Sequence, residues 1–182
     1  MKLSPWQLSL QFTLAAVLAV STSLAVAQTE TILHAFSASP DGAIPDGLGL
    51  DPAGNLYGTA SRGGLPDNLG VIFKLTANGH GGYDETVTYT FTGGQDGRFP
   101  YNLTLDKNGN LYGTTAPTSA DGGTVFQLHP LALGGWQKKL LYRFTTKTDG
   151  SSPSSIAFDR KGGLFGALRR RPVLTVMALS SN

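Results

Sequence analysis

The sequence predicts an all-β protein made of tandem repeats, and three observations support this fold class. The stretch at residues 50–59 (LDPAGNLYGT) returns at residues 105–114 (LDKNGNLYGT) and, in weaker form, at residues 158–167 (FDRKGGLFGA). The aspartates of the three copies lie 55 and 53 residues apart, and a nearly fixed period of this size indicates a repeat architecture. The chain also has 24 glycines and 10 prolines between short apolar runs, which is typical of strands joined by turns.

Each repeat contains four predicted strands. An aromatic strand (residues 31–36, 86–91 and 139–144) precedes an Asp-Gly loop and a proline. The chain then continues with a second strand, an Asp-x-x-Gly turn and the Leu-Tyr-Gly-Thr strand. A variable Gly-rich loop leads from there to the fourth strand, at residues 71–75 or 124–128. Four antiparallel strands in about 50 residues match one blade of a β-propeller. We place the repeats at residues 38–91, 92–144 and, as a partial copy, 145–166, which gives an incomplete propeller of two full blades plus partial ones.

The pattern within these strands fits a blade that is covered on both sides. Val71, Phe73 and Leu75 lie on one face, and Ile72 on the other is also apolar, as expected where both faces are buried. Glycine weakens a strand unless another group approaches closely. We therefore expect crowding between neighbouring blades at the glycines of the Leu-Tyr-Gly-Thr strand, which are Gly58, Gly113 and Gly166.

The repeated aspartates have two possible roles. Asp51 and its counterparts can accept backbone hydrogen bonds and so form an Asx-type turn, in which Gly54 supplies positive φ and Asn55 tolerates it. Asp and backbone carbonyls also suit Ca²⁺. Because the aspartates recur at one place in each repeat, we favour the turn for Asp51, Asp106 and Asp159. The same interpretation holds for the Asp-Gly pairs at Asp41, Asp96 and Asp149.

The first 27 residues are typical of a secretory signal peptide. Lys2 begins a positive region, residues 12–20 are apolar, and Ala25-Val26-Ala27 forms a cleavage site before Gln28. The apolar run is short for a membrane span of about 20 residues, although an uncleaved N-terminal anchor is the alternative. We expect residues 28–166 to form the repeat region of a secreted, extracellular or cell-surface protein with no membrane span after signal cleavage.

Composition excludes several kinds of partner and chemistry. The net charge of +2 depends on Lys2 and on residues 169–171 (RRR); without these four, 10 basic residues face 12 acidic ones. The repeat region therefore has no cationic excess of the kind that binds nucleic acid or anionic membranes. The chain contains no cysteine, which excludes disulfides, thiolate catalysis and a lipidated N-terminal cysteine.

The combined motifs resemble the GloVer tandem repeat. The resemblance rests on Asp-x-x-Gly-Asn-Leu-Tyr-Gly-Thr, on Gly-x-Val/Ile-Phe-x-Leu and on Leu-Tyr-x-Phe before Asp-Gly, and it covers residues 31–166. This family of exported bacterial proteins implies a propeller-like fold and a cell-surface or extracellular site. It implies no catalytic residues.

The chain departs from this family in two respects. Its array is short, since a propeller usually needs about 4 to 8 blades to close, and the repeat pattern stops after Gly166. When residues 168–182 are back-translated and the reading frame is shifted by one base, the new frame can encode the Gly-rich loop and the Gly-Thr-Val-Phe strand that the repeat lacks here. We therefore predict that residues 167–182 are a non-repeat tail produced by a frameshift or truncation, which makes the Arg run an accident of translation.

We predict no catalytic, cofactor-binding or metal-ligating residues and no cofactor. His34 occupies the strand position of Tyr89 and Tyr142, and no His-x-x-x-His spacing accompanies His80 or His129. No Gly-x-Ser-x-Gly elbow or phosphate-binding loop is present. Packing is expected for the aromatic residues Tyr57, Tyr112 and Trp136, although Trp136 could stack on a sugar.

Three functional hypotheses follow. The first is an exported repeat protein that binds an extracellular ligand or surface partner without catalysis. The alternative is a fragment of a secreted propeller hydrolase or lyase acting on polysaccharide or a small molecule, for which only scattered polar candidates such as Glu85 and Arg98 are available. In the third, the chain has no independent function, and its exposed strand edges favour self-association.

Overall fold

In the computed structural model, which describes residues 30–37, 39–145, 149–170 and 176–179, eleven strands form three antiparallel sheets. The strands of sheet 1 are β1 (Ala43–Leu50), β2 (Leu56–Arg62), β3 (Val71–Ala77) and β4 (Tyr83–Thr90). Those of sheet 2 are β5 (Pro100–Leu105), β6 (Leu111–Thr115), β7 (Thr124–Pro130) and β8 (Trp136–Arg143). Sheet 3 contains β9 (Ser151–Phe158), β10 (Leu164–Arg170) and β11 (Val176–Leu179).

Within each sheet the strands pair in the order of the sequence, as in a simple meander. The first strands of the sheets lie side by side, because β1 contacts β5 and β5 contacts β9. A 3₁₀ turn at Gly94–Asp96 lies in the connection between sheets 1 and 2. Successive four-stranded meanders whose first strands line a common axis are the arrangement of propeller blades. The predicted fold class is therefore confirmed.

The sheets are held together by two apolar layers. Between sheets 1 and 2, Tyr57, Ile72 and Phe91 pack against Leu103 and Phe126. Between sheets 2 and 3, the layer is formed by Val125, Phe144, Ile156, Leu164 and Leu168. Val71, Phe73 and Leu75 lie in a separate cluster on the other side of sheet 1. Both faces of sheet 1 are thus apolar, as the strand pattern predicts.

The glycines of the Leu-Tyr-Gly-Thr strand correct one expectation. A Cβ at Gly58 would lie 2.3 Å from the Phe73 ring, and one at Gly113 would lie 2.4 Å from the Phe126 ring. Gly58 pairs directly with Phe73 across the ladder between β2 and β3, and Gly113 pairs with Phe126. The crowding therefore comes from a cross-strand aromatic ring of the same sheet, and the prediction of crowding between blades was wrong.

The segment before sheet 1 is not a strand. Residues 30–37 have no strand assignment, whereas their repeat counterparts lie in β4 and β8, which pair with β3 and β7. A strand needs a hydrogen-bonded neighbour, and within the described residues no third strand lies beside this segment. The predicted signal peptide at residues 1–27 lies outside the described residues.

The structure continues beyond the point where the repeat pattern was expected to stop. Strand β10 runs through Arg170, and Val176–Leu179 pairs with it as a third strand. Part of the segment predicted as a non-repeat tail, residues 167–182, thus occupies the third-strand position of sheet 3. The frameshift concerns the coding sequence and stays a prediction.

Candidate functional site

The first strand of each sheet carries an irregularity at the same place. The pairing register shifts between Pro45 and Leu48 in β1 and between Tyr101 and Leu103 in β5. In sheet 3 the shift lies between Ala167 and Leu168 of β10, where it faces β9. Such bulges redirect side chains and are common beside functional sites. Here each lies next to the residue that follows the repeat proline.

The residue before that proline also has the same unusual backbone in each repeat. Ile44, Phe99 and Ser152 have φ values of 57°, 52° and 58°, which residues other than glycine seldom adopt. Strain of this kind persists only where surrounding structure enforces it. It is thus a fixed property of the repeat that sets where the following residues point.

Around these three first strands lies a cavity of about 440 Å³. Three of its lining residues, Asp46, Tyr101 and Ser154, occupy equivalent positions directly after the repeat proline. The complete lining is Asp46, Tyr101, Pro117, Ser152, Pro153, Ser154 and Arg169. We call this the axial cavity, since the adjoining first strands form it. It combines a carboxylate, a phenol, hydroxyls and a guanidinium.

Close backbone contacts keep the strands of the axial cavity together. The Asn102 side-chain amide of β5 donates a hydrogen bond of 3.1 Å to the Ser154 carbonyl of β9. A Cβ at Gly47 in β1 would lie 2.5 Å from the Leu103 amide nitrogen, so only glycine permits this approach of β1 to β5. The positions of Asp46, Tyr101 and Ser154 are therefore set by backbone contacts between sheets.

The repeated Asp turns are structural, as predicted. The Asp51 carboxylate accepts hydrogen bonds from the Ala53 and Asn55 amides at 2.9 and 2.8 Å, and Gly54 has φ of 87°. Burial opposes ionisation of Asp51, but these bonds and the Asn55 amide outweigh it and lower its pKa. Asn55 does not have positive φ; instead its side-chain amide donates to Asp51 at 2.7 Å. Sequence reasoning had assigned Asn55 the wrong role.

In repeat 2 the Asp-Gly aspartate forms a connected network. Asp96 accepts hydrogen bonds from the Tyr89 hydroxyl, the Thr92 amide and the Lys138 ammonium, each at 2.7 Å. Lys138 also donates to the Asp96 carbonyl and lies 4.6 Å from the centre of the Phe91 ring. Burial disfavours the charged forms of both groups; it lowers the pKa of Lys138, whereas the donors to Asp96 outweigh burial and lower its pKa.

Repeat 1 places different residues at the same three positions: His34 for Tyr89, Asp41 for Asp96 and Glu85 for Lys138. His34 Nε2 is 3.6 Å from the Asp41 carboxylate. Burial raises the pKa of Glu85, and the Asp41 charge adds to this effect. Among the described residues, neither His34 Nε2 nor Glu85 Oε1 has a hydrogen-bond partner. Repeat 1 thus has a carboxyl where repeat 2 has an ammonium.

The other candidate residues from the sequence analysis do not line the axial cavity. Trp136 packs edge-on against Tyr57 at 5.8 Å and Tyr112 against Phe158 at 4.9 Å, in agreement with packing roles. The Arg98 guanidinium lies 5.1 Å from the Phe99 ring centre. Neither Arg98 nor Glu85 is a lining residue. In the described part of the chain, no group of three or more His, Cys, Asp or Glu residues is placed to hold a metal ion.

Sequence reasoning missed the axial cavity, although a signal for it was present. Directly after the repeat proline stand Asp46, Tyr101 and Ser154, whereas the Asp-Gly pair, the proline and the later apolar positions of the strand recur in each repeat. Polar residues that differ at equivalent positions of a repeat are candidates for a binding surface. Arg169 belongs to the predicted accidental Arg run, yet it lines the cavity.

The sequence profile of a family described as the Gloeobacter/Verrucomicrobia repeat matches residues 18–171, which is more than half of the chain. The match confirms the repeat family and extends past Gly166. The comparison with curated proteins finds no match. No helix in the described residues is long and apolar enough to cross a membrane.

Three solved structures are similar in fold at low sequence identity. A gluconolactonase from Xanthomonas campestris is 18% identical, with a TM-score of 0.44 over 70% of this chain and 36% of that one. A putative gluconolactonase is 20% identical, with a TM-score of 0.42 over 75% and 41%. The PQQ-bound aldose sugar dehydrogenase from Streptomyces coelicolor is 16% identical, with a TM-score of 0.48 over 74% and 40%. The chain spans well under half the length of each.

Proposed function

The chain belongs to the Gloeobacter/Verrucomicrobia repeat family, and from this premise we propose that it is an exported module that binds a polar extracellular ligand without catalysis. One observation carries the proposal: the variable residues after the repeat proline, Asp46, Tyr101 and Ser154, line one cavity. Binding sites on repeat scaffolds vary at equivalent positions in this way, since the constant positions maintain the fold.

The chemistry of the axial cavity favours a hydroxyl-rich ligand such as an oligosaccharide. Asp46 accepts hydrogen bonds, Arg169 donates them, and the serine hydroxyls do both. Tyr101, which is 37% exposed, offers an aromatic face with a polar end. A volume of about 440 Å³ lies within the range of about 300 to 1,000 Å³ that is usual for small-molecule sites.

The alternative, a hydrolase or lyase acting on polysaccharide or a small molecule, requires an acid and a base that converge on the substrate. The carboxyl of the axial cavity comes from Asp46, and Glu85 lies on β4, the fourth strand of its sheet. This arrangement supports binding over catalysis.

Binding is tested with an array of neutral and anionic oligosaccharides, followed by calorimetry on each saccharide retained. Tyr101→Ala and Arg169→Ala should each weaken binding about tenfold or more, which corresponds to about 1.4 kcal/mol. The matched controls Tyr83→Ala and Lys161→Ala lie outside the cavity lining and should leave affinity unchanged. Release of cleavage products from a bound saccharide would overturn the non-catalytic assignment.

Export rests on the signal-peptide pattern of residues 1–27. N-terminal sequencing of the protein recovered outside the cytoplasm should begin at Gln28. A chain that keeps Met1 in the cytoplasmic fraction would contradict export, and it would leave the ligand-binding test unaffected.

A further inference from the structure

Along its first strand, β1, one face of sheet 1 is open, although the equivalent position in the other two sheets is covered. Leu48 and Leu50 of β1 are 60% and 65% exposed. The counterparts of Leu48 in sheets 2 and 3, Leu103 and Ile156, are 5% and 7% exposed because each packs against the preceding sheet. Sheet 1 therefore presents an apolar face of the kind that elsewhere in this chain receives another sheet.

The segment before sheet 1 indicates which structural element would cover this open face. We call residues 33–37 the leading segment. Phe36 lies 4.8 Å from the Phe73 ring, just as Phe91 of sheet 1 lies 5.3 Å from Phe126 of sheet 2. By the repeat alignment Phe36 corresponds to Phe91. The leading segment thus holds the place of the fourth strand of a preceding sheet, and within the described residues the other three strands of that sheet are absent.

Sheet 3 contains the strands that the leading segment lacks. Its described strands are a first, a second and a third, in the order β9-β10-β11. Within the described residues, no strand pairs with the outer edge of β11. Within the described residues, sheet 3 thus lacks a fourth strand, and the leading segment lacks the three strands that would lie beside it.

We propose that a second copy of this chain docks through these two elements. The outer edge of β11 in one copy pairs with the leading segment of the other, and its sheet 3 covers Leu48 and Leu50. A two-fold arrangement repeats this contact at the other end. The three sheets of the described residues of each chain then form a ring of six sheets, within the range of about 4 to 8 blades in closed propellers.

This ring accounts for three features at once: the open face, the unpaired leading segment and the three-stranded sheet. The three sheets within the described residues of one chain fall below this range. A third copy would give nine sheets, above that range. The interface does not depend on the proposed ligand, although the ring would surround the axial cavity with the first strands of all six sheets.

The register of the new strand pair follows from the chain itself. Tyr89 pairs with Ile72, and Tyr142 pairs with Val125. His34 corresponds to Tyr89, and Val176 corresponds to Ile72 because each pairs with the same position of its second strand. His34 of one copy should therefore lie opposite Val176 of the other, with Cα atoms about 4.5 to 5.5 Å apart. This separation suits a disulfide.

The test uses the full chain, whose lack of cysteine makes introduced thiols unambiguous. His34→Cys protein is mixed with Val176→Cys protein and oxidised mildly. A disulfide-linked dimer should form on mixing and remain absent from either protein alone. Leu133→Cys, at an exposed turn, mixed with Val176→Cys is the control and should give little product.

Sedimentation supplies the second measurement. The unsubstituted chain should be a dimer, and Leu48→Asp should shift it to monomer with an unchanged far-ultraviolet circular dichroism spectrum. Leu133→Asp places the same charge on another exposed leucine and should leave the dimer intact. The proposal is overturned by a chain that stays monomeric at high micromolar concentration, by equal cross-linking of the control pair, or by association that Leu48→Asp does not change.

Discussion

At the scale of single residues, two sets of repeated aspartates stabilise the turns and loops of the fold. Asp51, Asp106 and Asp159 each accept a hydrogen bond from the amide four residues later in the chain. Asp41, Asp96 and Asp149 instead accept from the amide four residues earlier, that of Ser37, Thr92 or Thr145. One aspartate holds the turn that follows it and the other the loop that precedes it, which explains why both recur in every repeat.

The pKa of Asp149 gives a first prediction. The Thr145 hydroxyl donates to this carboxylate at 2.6 Å and, with the Thr145 amide and the Tyr142 hydroxyl, lowers its pKa to about 2. The associated stability is present above the ordinary Asp pKa of about 3.9 and is lost as pH falls through about 2. Thr145→Val should move the midpoint toward 3.8 in a carboxyl-detected NMR titration. An unchanged midpoint would contradict this role, and Thr76→Val, at an exposed position, is the control.

Glu85 gives a prediction of opposite sign. Burial raises its pKa, so the protonated form fits the fold better than the ionised form. The stability is present below the unfolded-state pKa of Glu85, and it is lost as pH rises through the higher folded-state pKa.

Glu85→Gln should therefore raise the free energy of unfolding at pH 7 by about 0.2 to 1 kcal/mol and have little effect at pH 3. Urea unfolding at both pH values measures the difference. Thr86→Ser, at an exposed position next to Glu85, changes no titratable group and should show no such pH dependence. A Glu85→Gln protein that is less stable than the unsubstituted chain at pH 7 would refute the interpretation.

At the scale of the strand, the pairing of glycine with phenylalanine explains why the Leu-Tyr-Gly-Thr motif accompanies the Gly-x-Val/Ile-Phe-x-Leu motif. The ring of Phe126 lies over Gly113, and the ring of Phe73 lies over Gly58. Sheet 3 has Met177 at the corresponding place on β11. Among the described residues, a Cβ at Gly166 would lie 3.2 Å from the Ser155 carbonyl oxygen and 3.4 Å from the Ile156 side chain. These described neighbours crowd Gly166 less than the rings crowd Gly58 and Gly113.

Gly113→Ala should therefore be more costly than Gly166→Ala. Forcing a methyl group against the Phe126 ring is overpacking of a well-filled core, which costs about 1 to 3 kcal/mol. Thermal unfolding should show this loss for Gly113→Ala and a clearly smaller one for Gly166→Ala. In a double-mutant cycle, Phe126→Leu should reduce the cost of Gly113→Ala, since the two positions are in contact. Equal costs at the two glycines would exclude the cross-strand explanation.

Sequence reasoning identified the elements of the repeat better than it identified the candidate site. Strand existence, turn positions and the two apolar faces of sheet 1 follow from a periodic pattern, and periodicity is local information. The partner of Gly58 and the pairing of residues 176–179 depend on which strand lies alongside, which composition does not reveal. The axial cavity required the bulges in β1 and β5, because it is their shared position that brings Asp46 and Tyr101 to the same side.

At the scale of the whole molecule, the free energy of unfolding is nearly the sum of the contributions of each sheet and of each contact between adjacent sheets. The apolar layers join sheet 1 to sheet 2 and sheet 2 to sheet 3, as in other repeat proteins in which each unit touches only its neighbours. In such an array the end units lack half of their interface. Within the described residues, the open face of sheet 1 and the outer edge of sheet 3 are those ends, and association of two chains would supply an interface at both.

The proposed ring makes the melting temperature depend on concentration. Because a partner that binds only the folded chain stabilises it by mass action, the melting temperature of the unsubstituted chain should rise by roughly 2 to 4 °C for each tenfold increase in chain concentration. Leu48→Asp should remove this dependence, and Leu133→Asp should preserve it. Calorimetry over a hundredfold range of concentration measures the slope. A melting temperature that is independent of concentration, in a chain with an intact open face at Leu48 and Leu50, would mean that the ends of the array are stable without a partner.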